Sequence, residues 1–263
     1  MLANYHTHTS RCHHASGMDE EYIQKAIAEG VKILGFSDHA PYLYPHGYNS
    51  YYKMTPEEST EYFSTITALR ERYRDKIEIH IGYEAEYYPD IWDATFEFWK
   101  NQPMPPEYLI LGQHFLEQEH DEKTRFHSSD GSDDPDVLKR YVDLVIAGIN
   151  TGRFTYIAHP DLFGFYGSDD PYFEEMCRLM TEVKRVGIPL EINLLGLSEG
   201  RNYPSEKFWR FASEYSPKVI FGCDAHVPKR VAVAEEVTKA LRFADKYHLE
   251  VLDVLTLKDP FRD

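Results

Sequence analysis

The chain is short of positive charge. Lys and Arg number 28 against 44 Asp and Glu, a formal net charge of −16. No local basic run offsets the deficit, so the basic face that a nucleic-acid duplex requires is missing. An anionic membrane surface is disfavoured for the same reason. A small anionic substrate is not excluded, because metal ions or a few arginines make a pocket locally positive. Cysteine is scarce as well: Cys12, Cys177 and Cys223 are odd in number and lack CxxC spacing. They read as reduced thiols, not a disulfide framework. No apolar run approaches the ~20 residues of a membrane span, and no signal-peptide pattern precedes His6, so a cytoplasmic location is expected. Gly-x-Gly-x-x-Gly, Gly-x-x-x-x-Gly-Lys-Ser/Thr and Gly-x-Ser-x-Gly are all absent, which leaves nucleotide cradles and a serine nucleophile without support.

What is present favours a folded enzyme. Hydrophobic residues make up 42% and aromatics 14% of 263 residues, enough for one substantial core, and residues 1–263 read as one domain of the length usual for an α/β barrel. Apolar, β-prone segments at Leu2–Tyr5, Ile33–Ser37, Glu78–Tyr83, Tyr108–Gly112, Thr155–Ala158, Pro189–Ile192 and Val219–Gly222 alternate with helical ones. The helices are expected at Asp19–Glu29, Pro56–Arg74, Ile91–Lys100, Pro135–Asn150, Tyr172–Val186, Pro204–Glu214 and Val231–Tyr247. Pro56 and Pro135 stand where a first helical position tolerates proline, and Gly30 and Gly187 where C-terminal caps belong. Strict alternation argues for parallel βα units and a closed or nearly closed barrel. Two long connections stand out, 40–55 and 117–134. The first, with Tyr42, Tyr44, Tyr48, Tyr51 and Tyr52, reads as a lid over a binding site.

The chemistry gathers at the strand ends. His6-Thr7-His8 closes the first strand, and i,i+2 spacing on an extended backbone puts both imidazoles on one face. Asp38-His39 ends the second strand, Glu84 the third, His114 the fourth, His159 the fifth and Asp224-Ala225-His226 the seventh. The sixth ends in Glu191-Ile192-Asn193, polar but not obviously a ligand set. In a parallel barrel these ends converge on one face, where active sites form. Buried imidazoles and carboxylates crowded there would be costly without a compensating cation. His6, His8, His14, His39, Glu84, His114, His159, Asp224 and His226 would suffice for two or three divalent metals at three or four ligands each. His13 competes with His14 for its place. His46, His80, His120, His127 and His248 fit no strand end and are expected at the surface or in structural roles.

These motifs resemble the polymerase and histidinol phosphatase (PHP) family of metal-dependent phosphoesterases. The match runs through His6-Thr7-His8, Ser37-Asp38-His39, Gly82-Tyr83-Glu84, His114, His159 and Asp224-Ala225-His226 in the expected order. The resemblance implies an α/β fold, a distorted seven-stranded (β/α)7 barrel of TIM type, holding up to three zinc, manganese or iron ions. It implies one metal on His6, His8, Glu84 and Asp224, a second on Glu84, His114 and His159, and a third on His14, His39 and His226, with Asp38 orienting a ligand. Leu190-Glu191-Ile192-Asn193, Gly196-Leu197, Tyr203-Pro204-Ser205 and Gly222-Cys223-Asp224-Ala225-His226 are most similar to the histidinol-phosphate phosphatase subgroup. The basic residue that this subgroup often has after Gly-Leu is replaced by Ser198-Glu199, and Gly112 to Glu119 also departs from its form.

The expected reaction is hydrolysis of L-histidinol phosphate by a hydroxide bridging two metals. The alternative is another small phosphate ester: a nucleotide, a sugar phosphate or a short oligonucleotide. Asp224, Glu84 and His226 are expected to carry catalysis, with Asp224 or a bound water protonating the leaving alkoxide. Arg201 and Arg11 are the candidate phosphate contacts. Tyr42, Tyr44, Glu117 and Glu119 are candidates for reading a cationic leaving group. The sequence carries no sign of an oligomeric state.

Overall fold

Strand and helix alternate along the chain as the hydrophobic pattern demands. The computed structural model describes residues 1–117, 119–120 and 123–262. Eight parallel strands follow one another in sequence order: β1 (Ala3–Asn4), β2 (Ile33–His39), β3 (Glu78–Ala85), β4 (Leu109–Leu111), β5 (Tyr156–Ile157), β6 (Leu190–Asn193), β7 (Lys218–Gly222) and β8 (Glu250–Val251). The helices between them are α1 (Asp19–Ala28), α2 (Pro56–Tyr73), α3 (Trp92–Lys100), α4 (Pro135–Asn150), α5 (Asp169–Val186), α6 (Leu194–Glu199), α7 (Glu206–Ser213) and α8 (Ala234–Lys246).

Local chemistry fixes the helix ends. Thr55 Oγ1 accepts from the Glu58 N–H at 3.3 Å while Glu58 Oε2 accepts from the Thr55 N–H at 2.7 Å, a reciprocal cap that starts α2 at Pro56. Asp134 accepts from the Asp136 N–H at 2.9 Å and starts α4 at Pro135. Gly187, at φ 72°, ends α5 in the left-handed conformation that glycine adopts without strain.

The strand count differs from the seven expected. The eighth strand has two residues, one exposed and one half-buried, too few to show a period in sequence. It pairs with the start of β7 through Lys218 and Val219. At the opposite end of the barrel, the segment after β1 pairs with the segment after β7. Thr7 bridges Ala225 in parallel, and the His8 N–H donates to the Ala225 carbonyl at 3.1 Å. The mouth is thereby drawn together between the first and seventh strands, where His6-Thr7-His8 and Asp224-Ala225-His226 meet. The short helix α6 was also missed, because Leu194–Glu199 leaves β6 with no break for a turn.

Two apolar layers support this mouth. Helices pack on the outside of the sheet, and a smaller cluster of Ala3, Tyr5, Tyr108, Ile110, Tyr156, Ala158 and Ile220 fills the inside. Tyr108 is the plug: its hydroxyl reaches the carbonyls of Tyr5 at 2.9 Å and Phe36 at 3.1 Å. Its ring lies where Gly35 and Gly82 leave room. Among the described residues no helix is long and apolar enough to cross a membrane.

A Cβ at Gly82 would run into the Tyr108 ring and carbonyl. Gly82→Ala should therefore destabilise the fold by about 1–3 kcal/mol through overpacking. Urea unfolding will read this as a lowered midpoint at unchanged slope; an unchanged midpoint would mean that the interior tolerates the methyl.

Candidate metal centre

The ends of β1, β2, β3, β6 and β7 and the turns after β4 and β5 place their polar side chains around one point. Glu84, 2% exposed, is at the centre. Its Oε1 lies 2.8 Å from His159 Nε2 and 3.6 Å from His114 Nε2. Its Oε2 lies 3.1 Å from His39 Nδ1, 3.4 Å from His6 Nε2 and 3.5 Å from His8 Nε2. The two oxygens thus serve different groups of imidazoles, as a bridging carboxylate must. Asp224 faces the same imidazoles from β7, with Oδ1 3.0 Å from His8 Nε2 and 3.6 Å from His6 Nε2.

The outer nitrogens of His6 and His8 are held by carboxylates. His6 Nδ1 is 2.8 Å from Glu191 Oε2, and His8 Nδ1 is 3.3 Å from Asp38 Oδ1. Asp38 is fixed in turn by the N–H groups of Thr9 and His39 and by the Thr9 hydroxyl. Such pairs select the tautomer whose lone pair is on Nε2. The inner atoms, His6 Nε2, His8 Nε2 and Glu84 Oε2, are buried with no hydrogen-bond partner. Stranded buried polar atoms cost about 1–3 kcal/mol each, and a cation among them removes that penalty. These donors fit a divalent metal.

Asn193 links the two flanks. Its Nδ2 donates to Glu191 Oε1 at 2.7 Å and to Asp224 Oδ2 at 3.1 Å. Glu191 and Asn193 were not picked out as functional by sequence, although they share the i,i+2 spacing of His6 and His8 at a strand end. That spacing was the available signal. Two glycines make room for the carboxylates, since a Cβ at Gly112 would meet Glu84 and one at Gly222 would meet Glu191.

A second cluster lies toward the cavity. His14 Nε2 and His226 Nε2 are 2.9 Å apart, and the His14 and His39 rings are 5.2 Å apart. One donor atom each from His14, His39 and His226 lies close enough to the others to share an ion. His13 instead points to Glu58 at 3.6 Å, which separates the two neighbours.

The carboxylates and half of the imidazoles rest in the form that binds a metal. Burial opposes charge on Glu84, yet His114, His6 and His39 hold its carboxyl well below the usual range. Asp224 is held low in the same way, burial being overcome by His6, His8 and His226. Burial, with His8 nearby, pushes His39 well down and His226 down to about 3, and burial also lowers His114. His6, His8 and His159 go the other way, against burial: Glu191, Asp224 and Glu84 push His6 up to about 10, Asp224 and Asp38 hold His8 well up, and Glu84 raises His159. Ionised carboxylates and neutral imidazoles are the ligand forms, and the protons favoured on His6, His8 and His159 must leave as a metal enters.

A cavity of about 470 Å³ opens over these residues, lined by His14, His39, His114, Asp224 and His226 below and by Tyr52, Lys53, Phe115, His127, Ser129, Leu162, Arg201, Asn202 and Tyr203 around. Arg201 is where the sequence expectation needs it, although it also pairs with Glu199 at 2.8 Å and Tyr203 Oη at 2.9 Å. Arg11 does not line this cavity. It is locked to Asp19 at 2.9 Å and to Glu61, because α1 and α2 present acids beside it. His127, expected at the surface, stands in the cavity wall, and burial pushes its ring down to about 4.

The leaving-group candidates are placed elsewhere. Glu119 is fully buried and accepts from Tyr44 Oη at 2.9 Å, from Ser50 Oγ at 2.6 Å and from Lys53. Tyr42 Oη donates to the Glu86 carbonyl at 2.8 Å, and Glu117 pairs with Arg140. Lys53 also reaches Glu86 at 2.7 Å. The connection 40–55, read as a lid, is thus fastened from below; Tyr52 and Lys53 are its members at the cavity.

Known proteins resemble this chain in sequence and in fold. A probable histidinol-phosphatase of Deinococcus radiodurans is 29% identical over 96% of this chain and 94% of its own length. A histidinol-phosphatase of Bacillus subtilis is 24% identical, covering 88% of this chain and 96% of its own length. Among solved structures, histidinol phosphate phosphatase from Lactococcus lactis, complexed with zinc, L-histidinol and phosphate, superposes with a TM-score of 0.72. It is 16% identical and covers 97% of this chain and 98% of its own, a likeness of fold. Residues 4–195, which carry the ligand-bearing ends of β1 to β5 and the Glu191–Asn193 pair of β6, match the PHP domain, and the chain belongs to that family.

Proposed function

We propose that this protein is a metal-dependent phosphomonoesterase that hydrolyses L-histidinol phosphate to L-histidinol and phosphate. The observation that carries the reading is the set of buried, partnerless donor atoms on His6, His8 and Glu84 beneath an open cavity. Relatives named histidinol-phosphatase, and the neighbour holding zinc, L-histidinol and phosphate, support the substrate and the metal class. His6, His8, Glu84 and Asp224 would hold one ion, Glu84, His114 and His159 a second, and His14, His39 and His226 a third, from among zinc, manganese and iron.

Bound ions would supply a water of lowered pKa and neutralise charge on the transferring phosphoryl group. The rest falls to side chains. Asp38 and Glu191 keep His8 and His6 in one tautomer, and Glu84 spans two groups of imidazoles. Asp224 is ionised at rest and Asn193 occupies its Oδ2. It can protonate a leaving alkoxide only after Oδ1 has taken a proton from the attacking water. Arg201 supplies a planar fork for phosphate oxygens.

One observation favours a second reading. The only carboxylate on the cavity wall among the described residues is Asp224, so no wall acid is free to pair with an amine. A phosphate ester with a neutral leaving group would meet no such lack.

A phosphate-release panel of histidinol phosphate, sugar phosphates and nucleotides separates the two. Histidinol phosphate should give the highest kcat/KM by at least about tenfold, the equivalent of one ordinary hydrogen bond or ion contact; a sugar phosphate in that position would sink the first reading. Chelation should abolish turnover and lower Tm by roughly 5–10 °C, since an ion at a hundred times its Kd contributes about 2.7 kcal/mol. Scanning calorimetry before and after adding back zinc or manganese checks this, and an indifferent Tm would count against the metal assignment. Asp224→Asn should keep the fold by circular dichroism and lose at least about 10²-fold in kcat; turnover at the parent rate would remove Asp224 from the chemistry.

A further inference from the structure

The cavity wall contains polar groups that the proposed reaction leaves without a role. Most are already engaged: Lys53 with Glu86 and Glu119, Arg201 with Glu199 and Tyr203, and Asn202 with the Leu162 carbonyl at 2.8 Å. His127 differs. The Ser129 N–H donates to its Nδ1 at 3.2 Å, and Ser129 Oγ is 2.7 Å from the same nitrogen. A nitrogen that accepts from a backbone N–H carries no proton, so the neutral ring bears its hydrogen on Nε2. Among the described residues Nε2 has no hydrogen-bond partner, while the ring lines the cavity.

The ring is also held in place. It meets Phe115 edge-on, at 4.9 Å and 85°, and the two residues form an antiparallel bridge. On either side the Ser128 N–H donates to the His114 carbonyl at 2.7 Å and the Leu116 N–H to the Phe126 carbonyl at 3.0 Å. These bonds tie His127 to the segment that carries His114, whose ring centroid is 6.1 Å away. The phosphorus of any ester hydrolysed here must lie over His114 and its neighbours. A fixed N–H beside that point meets anionic oxygen, and charge assistance makes such a bond stronger than a neutral pair.

We propose that His127 binds substrate, donating its Nε2–H to a phosphoryl oxygen of the bound monoester. The proposal rests on the phosphoesterase reading above and adds to it a phosphate contact that comes from the loop after β4. Because the contact is to the phosphoryl group, inorganic phosphate should use it as fully as the ester does.

The test uses zinc-reconstituted protein, whose diamagnetic ions leave nearby NMR signals sharp, and inorganic phosphate as the probe. His127→Phe keeps an aromatic ring and removes the donor, so the phosphate inhibition constant and the ester KM should both rise about tenfold, the loss expected for a hydrogen bond to a charged group. His127→Gln returns an N–H near the position of Nε2 and should restore phosphate binding to within about threefold of the parent, inside the span of a single weak hydrogen bond. In the parent protein, nitrogen NMR should assign His127 as the Nε2–H form, with this signal moving as phosphate is titrated. An unchanged phosphate constant in His127→Phe overturns the proposal, even with a raised ester KM, since the contact would then be to the leaving group. A ring found protonated on Nδ1 overturns it too. If the parent hydrolyses no phosphate monoester, the functional reading fails, whereas the NMR titration still reports on His127 by itself.

Discussion

Everything at the mouth of this barrel depends on Glu84, a carboxylate buried among His6, His8, His39, His114 and His159. A buried charge must be matched, and here the match is divided between its two oxygens. That division decides where the ends of β1, β2, β4 and β5 must stop, because each contributes an imidazole at contact distance. The outer carboxylates, Asp38 and Glu191, extend the same logic by one layer. They leave the inner nitrogens of His8 and His6 pointed inward without a hydrogen-bond partner, an arrangement that a cation at the centre would relieve.

The scaffold fixes these positions with little freedom. Parallel pairing brings all the relevant strand ends to one face, and Tyr108 locks the interior below it. Above, Glu119 gathers Tyr44, Ser50 and Lys53 into one buried knot. The two long connections are therefore part of the rim. Their exposed members, such as Tyr52, shape the cavity, and their buried members hold the shape.

Much of this was legible in the sequence, for identifiable reasons. The strands and most helices follow from hydrophobic period and from caps such as Thr55-Pro56 and Asp134-Pro135, which act locally. That His6, His8, His39, Glu84, His114, His159, Asp224 and His226 gather at one point was legible because a side chain next to a strand end is placed by the strand alone. His127, Lys53 and Glu119 were not. They lie on long loops, and their placement depends on partners 12 to 75 residues away, such as Phe115 for His127 and Tyr44 for Glu119. Arg11 was misplaced for the same reason. Its proximity to His8 in sequence was visible, but its capture by Asp19 and Glu61 needed the packing of α1 against α2. The eighth strand escaped because, unlike the equally short β1 and β5, it is not buried: Glu250 is exposed and Val251 half-buried.

The seat of Glu84 on Gly112 has one more consequence. The carboxylate lies against the backbone of the neighbouring strand, in the space where any other residue would place a Cβ. β3 and β4 pair with Glu84 opposite Ile110 and Ala85 opposite Leu111. Sliding one strand by a single residue would bring a side chain under the carboxylate and shift the turn that carries His114. The seat is thus also a gauge of strand register: a barrel assembled one step out of place would have no room for its central carboxylate, and an ion bound as proposed above would draw the folding chain toward the one alignment that has it.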